Sequence, residues 1–153
     1  MRKYVIASIV FIVIAVLYCS QTEATTWETD LKKASSTAKE SGKYMLLDFS
    51  GSDWCGWCIR LEKEVFSQKA FKDFAEENLV CVLVDFPSAK VQSKELKQQN
   101  MDLAEEYDVK GYPTIIILSP DGKPVAKTGY LQGGPWEYAR HLKKIIEDYK
   151  AKQ

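Results

Sequence analysis

The sequence predicts an α/β domain built on a central mixed sheet of about four to five strands, with helices on both faces. Three observations carry that expectation. Short apolar runs alternate with segments of helical periodicity in the order strand, helix, strand, helix, hairpin, helix. The run Leu79–Asp85 (LVCVLVD) is apolar up to its last residue, as in a strand covered on both sides. The 153 residues, 46% hydrophobic and 27% charged, suffice for one core and are too few for two of usual size.

The first 24 residues read as an address rather than as part of that domain. Arg2 and Lys3 precede a sixteen-residue run from Tyr4 to Cys19 in which Ser8 is the only strongly polar residue. A basic start, an apolar run and a small residue at Ala24 match a secretory signal. The expected division is therefore a cleaved signal peptide, 1–24, and a single domain, 25–153. The alternative is an uncleaved anchor, although sixteen helical residues reach about 24 Å against a hydrocarbon core of ~30 Å. Lipidation at Cys19 is a further alternative, disfavoured by the bulky Tyr18 before it. Export places the domain in an oxidising compartment. The closing Lys150-Ala-Lys-Gln153 is not a retention tetrapeptide for the endoplasmic reticulum. A bacterial periplasm or cell envelope is thus expected ahead of a secretory lumen.

Along the domain, Trp27, Leu31, Ala34 and Ala38 recur at helical spacing and Gly42 supplies a stop. Tyr44–Phe49 is short, apolar and flanked by turn residues, hence a buried strand. Trp54, Cys58, Leu61 and Val65 describe a helix face, and Ser67 is placed to cap a helix over 69–77. After Leu79–Asp85, Ser93 can cap a polar helix reaching Tyr107. Thr114–Leu118 and Val125–Tyr130 read as strands joined by the turn Ser119-Pro-Asp-Gly-Lys123. Pro135 opens a last helix with Ala139, Leu142, Ile145, Ile146 and Tyr149 on one face. The first two strands should be parallel through a right-handed crossover, and the hairpin antiparallel.

Charge excludes one class. Lys plus Arg equals Asp plus Glu at 21 each, and without Arg2, Lys3 and Glu23 the domain holds 19 basic and 20 acidic residues. A chain without a basic excess is a poor reader of phosphates, so no nucleic acid is expected as partner. Four cysteines are too few for a disulfide scaffold, and losing Cys19 leaves Cys55, Cys58 and Cys81, an odd number that implies a free or reactive thiol.

Cys55-Gly-Trp-Cys58 falls where the first strand gives way to a helix. Unpaired N–H groups at a helix start stabilise an anion, so Cys55 should have a lowered pKa and act as nucleophile. Cys58, one turn deeper, can resolve a mixed disulfide. A purely structural disulfide is a rival reading, but so small a loop makes a weak staple. Zinc is another, but it asks for four ligands where one pair, Cys81 and the lone His141 are on offer. No metal is expected. Cys81 reads as core.

Asp53-Trp-Cys-Gly-Trp-Cys58, preceded by Leu46-Leu-Asp-Phe49 and followed some 55 residues later by Gly111-Tyr-Pro-Thr114, resembles the thioredoxin superfamily. Lys63-Glu-Val-Phe66 is similar to a stretch of its exported thioredoxin-like members. The resemblance covers roughly residues 30–150 and implies a thioredoxin-like fold and a CGWC thiol–disulfide oxidoreductase. It implies that Pro113 is a cis-proline facing the active-site disulfide, leaving the backbone of Tyr112 to pair with an extended substrate. Trp54 resembles the tryptophan beside the nucleophile, and Gly129 the glycine of a loop flanking the groove. Gly56 and Trp57 replace the Gly-Pro of thioredoxin itself, and Trp57 is a candidate apolar contact for substrate. Asp48 resembles the buried aspartate that relays a proton to the deeper cysteine. It stands seven positions before Cys55 rather than six, and the alternative is an ordinary strand-end carboxylate.

The expected function is an exported thiol–disulfide oxidoreductase, reductase or interchange in role, acting on protein disulfides or thiols. It needs no bound cofactor, because the Cys55–Cys58 pair is the redox group. A monomer re-reduced by a membrane or soluble electron donor is expected. Two rivals are a non-catalytic peptide-binding or chaperone module presenting Trp57, Tyr112 and Tyr130, and a membrane-tethered redox domain.

Overall fold

The computed structural model describes residues 26–153; the expected signal, residues 1–24 with Cys19, lies outside the described residues. Helix α1 (Leu31–Ser41) leads into strand β1 (Tyr44–Ser50). Helix α2 (Gly56–Leu61) runs on as a π-helical turn, Glu62–Phe66, and is followed by α3 (Lys69–Asn78) and β2 (Leu79–Asp85). Helix α4 (Lys94–Glu106), the hairpin β3 (Thr114–Leu118) and β4 (Pro124–Thr128), and α5 (Gly134–Lys150) complete the chain. The four strands lie in the order β2-β1-β3-β4, with β1 parallel to β2 and antiparallel to β3, and β3 antiparallel to β4.

Strand periodicity divides the core. Met45, Leu47 and Phe49 of β1 point to one face, where Ala34 and Ala38 of α1 and Leu103 of α4 cover them. Tyr44 and Leu46 point to the other, against Leu61, Val65, Phe66, Phe71, Tyr138 and Leu142 from the remaining helices. Asp48 follows Leu46 by two and so belongs to this second face. Every residue of β1 is buried, which explains its unbroken apolar run and makes the single carboxylate conspicuous.

Four local expectations are corrected. Trp27 is not on α1: Asp30 caps the helix by accepting the Lys33 N–H at 3.0 Å. Glu28 instead pairs with the outer side of β2, donating its N–H to the Cys81 carbonyl at 2.9 Å and accepting from Leu83 at 2.8 Å. Two ladder bonds hold that segment extended, and Trp27 packs on Phe66 with ring centroids 5.0 Å apart. Trp54 precedes α2, in a turn where Gly51 O accepts from Trp54 N and Cys55 N at 3.2 and 2.8 Å. Ser67 does not cap α3. The π turn closes on it, with Ser67 N donating to Glu62 O at 2.9 Å and its hydroxyl to Lys63 O at 3.2 Å. The extra residue in that turn lets Val65 and Phe66, consecutive in sequence, both reach the core. Finally, β4 ends at Thr128, because the Gly129 carbonyl accepts from the Tyr138 hydroxyl at 3.0 Å.

Phe66 is the centre of the second face, with ring centroids 4.8 Å from Phe71 and 5.7 Å from Tyr138. Phe66→Ala is expected to lower the unfolding free energy by about 3–5 kcal/mol in a denaturant titration. A loss under about 1 kcal/mol would show that these rings are not packed as described.

Candidate active site

Cys55 and Cys58 form a disulfide with their Cα atoms 5.2 Å apart. The local chain dictates this. Strand β1 ends at Ser50, the Gly51 turn brings Cys55 to the cap position of α2 in extended backbone, and Cys58 follows one turn later. The Cys58 N–H donates to Cys55 Sγ at 3.3 Å. That sulfur therefore sits where a helix start favours a thiolate once the bond is reduced. Cys81 takes no part in the disulfide: it is buried in β2, and burial, aided by the charge of Asp48, pushes its thiol up to about 12. Among the described residues, no cluster of three or more His, Cys, Asp or Glu side chains is arranged to hold a metal.

Behind the disulfide runs a cleft of about 430 Å³ lined by Asp48, Ser50, Cys58, Ile59 and Glu62, among others. The extra residue before Cys55 therefore does not turn Asp48 away; its carboxyl shares the cleft with the deeper cysteine. Asp48 Oδ1 is buried without a hydrogen-bond partner. Its pKa is pushed up to about 8, chiefly by burial and then by the negative charges of Glu62 and Asp85. Burial also raises Glu62, while Lys72 opposes the shift. Glu62 escapes sequence reasoning, because only the π turn shows which side of the helix it takes.

Just before Cys55, three consecutive residues tie the active-site turn to the loop after β2. Ser52 donates its N–H and hydroxyl to the two oxygens of Asp85, at 2.9 and 2.6 Å. Asp53 accepts the N–H groups of Ser88 and Ala89, each at 2.8 Å, and these bonds hold its carboxyl below the usual range. The Trp54 indole donates to Phe86 O at 2.8 Å. A Cβ at Gly51 would lie 2.5 Å from the Trp54 ring, so glycine is needed for that ring to fold back over the turn. No sequence signal pairs Ser52 with Asp85 or Asp53 with Ser88, because these contacts join residues more than thirty positions apart.

The Tyr112–Pro113 peptide is cis, as expected. The structure brings Tyr112 to Trp54, ring centroids 5.8 Å apart and nearly perpendicular. It brings Gly129 to Pro113: a Cβ at Gly129 would lie 3.2 Å from the Pro113 carbonyl oxygen. Gly56 opens α2 with empty space where a Cβ would stand. Trp57 lies apart from the Trp54 group, on the Tyr130 ring at 5.2 Å. Tyr112 and Tyr130 are partly exposed, while Trp54 and Trp57 expose about half their surface, 52% and 53%.

Residues 31–146 match the thioredoxin-like domain family. The chain is 35% identical over 121 residues to the disulfide bond reductase DsbH of Chlamydia pneumoniae, covering 79% of this chain and 72% of that protein. It is 31% identical over 103 residues to the thioredoxin-related protein DsbJ of the same organism, where 67% of this chain spans only 30% of the relative. A solved DsbH oxidoreductase superposes with a TM-score of 0.77 at 33% identity, covering 84% of this chain and 92% of that one. The chain therefore belongs to the thioredoxin superfamily, and is a thiol–disulfide oxidoreductase of its thioredoxin-like branch.

Proposed function

We propose that this oxidoreductase is exported and works as a reductant of disulfides in polypeptides, with Cys55 as the attacking thiol and Cys58 as the resolving one. The observation that carries the direction is the pair of carboxyls, Asp48 and Glu62, in the cleft that Cys58 lines. Burial disfavours a charged thiolate, and any charge these carboxyls gain on losing their protons is negative and acts in the same direction. A strong oxidant needs its reduced form stabilised; a buried cleft with carboxyls behind the pair works against that and favours the disulfide. The kinship with a disulfide bond reductase supports the same direction. The basic start and apolar run of residues 2–19 support export to a periplasm or envelope. Among the described residues, no helix is long and apolar enough to cross a membrane.

In the reduced enzyme, Cys55 thiolate attacks one sulfur of a substrate disulfide. A Cys55–substrate disulfide forms, and the other substrate sulfur leaves as a thiolate that takes a proton. Cys58 then loses its proton to the Asp48 carboxylate and attacks Cys55 Sγ, forming the Cys55–Cys58 bond and releasing the second substrate thiol. Two electrons pass to the substrate, and the bonded pair is the oxidised product. A dithiol protein, membrane-bound or soluble, restores the reduced pair, and no bound cofactor takes part. The substrate lies extended along Tyr112 and Pro113, between Trp54 and the Gly129 loop, and the enzyme acts as a monomer.

With a protein disulfide as substrate and a dithiol as donor, Cys55→Ser is expected to reduce turnover to the uncatalysed level. Cys58→Ser is expected to accumulate a one-to-one mixed disulfide visible by mass spectrometry. Turnover by the Cys55 variant would overturn the assignment.

Asp48 gives a second test through pH. The folded state holds its proton to about pH 8, whereas an unfolded aspartate releases it near 4. Between those values the folded state binds more protons, so stability falls as pH rises. Asp48→Asn is therefore expected to raise the unfolding free energy at pH 8, relative to its effect at pH 4, by about 2–4 kcal/mol, the cost of an unpaired amide being common to both. The same variant should slow release of the mixed disulfide at pH 8. Equal stability of variant and wild type at both pH values would contradict the burial described for this carboxyl.

A further inference from the structure

Trp57 is exposed over half its surface, yet it is not free to move. Its ring leans on Tyr130, and the Arg60 guanidinium carbon stands 5.4 Å from both ring centroids, wedged against the two. Glu64 fixes both supports at once. One carboxylate oxygen accepts from Arg60 Nε at 2.7 Å and the other from the Tyr130 hydroxyl at 2.6 Å. Both partners hold the Glu64 carboxyl below its usual range. The ion pair is solvent-exposed, and such pairs add little to stability, so folding alone does not account for the arrangement. What the four residues do achieve is to hold a large apolar face in one orientation beside Cys55. Tyr130 follows Gly129, which touches Pro113, and Tyr112 carries Trp54. The chain thus raises one tryptophan at each end of a floor made of Tyr112, Pro113, Gly129 and Tyr130.

We propose that Trp57 is a specificity-determining residue, held by the positioning residues Arg60, Glu64 and Tyr130, that selects polypeptide substrates with an aromatic side chain close to the reacting cysteine. This rests on the reading that the groove takes polypeptides. The occupant follows from the chemistry of the face. Glu64 and Arg60 cancel each other, so what remains exposed is a neutral indole beside a guanidinium already engaged. A fixed ring of this kind rewards a second ring by stacking and loses nothing to side-chain ordering when it binds. A charged substrate residue would have to give up water there with no partner of opposite sign.

The test uses two peptides, each with one intramolecular disulfide and differing only in Phe or Ser two residues from the reacting cysteine. The readout is the ratio of their kcat/KM values, in which any change of redox potential common to both cancels. The wild type is expected to prefer the Phe peptide by about tenfold. Trp57→Ala should bring the ratio to near one. Glu64→Ala should lower it severalfold, with the loss falling on KM for the Phe peptide rather than on kcat, whereas Tyr130→Phe, which keeps the ring, should retain more of the preference than Tyr130→Ala. A tenfold preference that survives Trp57→Ala would overturn the proposal. A wild type that reduces these peptides no better than a small aliphatic disulfide would overturn the polypeptide reading beneath it.

Discussion

Burying a carboxyl group in the middle of a central strand, with one oxygen lacking any hydrogen-bond partner, is costly, and the arrangement around the disulfide follows from where that group had to go. Strand periodicity sends Asp48 to the face shared with Tyr44 and Leu46, the face on which α2 packs. The carboxyl and Cys58 therefore meet in one cleft, with Glu62 brought in by the π turn that follows α2. Burial raises both carboxyls above the usual carboxylate range, Asp48 to about 8 with the negative charges of Glu62 and Asp85 adding to the effect. The proposed proton acceptor and the proposed preference for the disulfide over a thiolate thus rest on the same residues.

The turn before the disulfide is built differently. Ser52, Asp53 and Trp54 each bond to the segment 85–89, so the turn that delivers Cys55 to the start of α2 is held by side chain and backbone at three successive positions. This clamp spans the loop that exceeds the thioredoxin spacing by one residue, and Asp48 still lines one cleft with Ser52 and Cys58. Phe86 in turn packs on Tyr112 at 5.3 Å, so the clamp reaches the residue before the cis proline.

Much of this was legible in the sequence, and the boundary has a physical meaning. Local periodicity identified β1, β2, β3 and the helices, and Ser93 caps α4 as expected, accepting from Leu96 N at 3.1 Å. The Cys-x-x-Cys pair at a strand-to-helix junction located the chemistry, whereas the side taken by Asp48 stays open between two readings until the fold places it in the cleft with Cys58. What failed depends on partners far along the chain. Trp27 sits at helical spacing by coincidence, while ladder bonds to β2 decide its backbone. Ser67 looks like a cap until the π turn claims it. The contacts of Asp53, Asp85 and Glu62, and the joint hold of Glu64 on Arg60 and Tyr130, need the folded arrangement before they can be seen.

On the function proposed above, the surroundings of Cys58 favour the disulfide and make the reduced protein a donor of electrons. The reduction potential of the Cys55–Cys58 pair, measured by equilibration against a dithiol couple of known potential, tests it most directly. The account predicts a value near that of thioredoxin, about −270 mV; a value near −120 mV, that of a strong oxidant whose reduced form is stabilised, would contradict it.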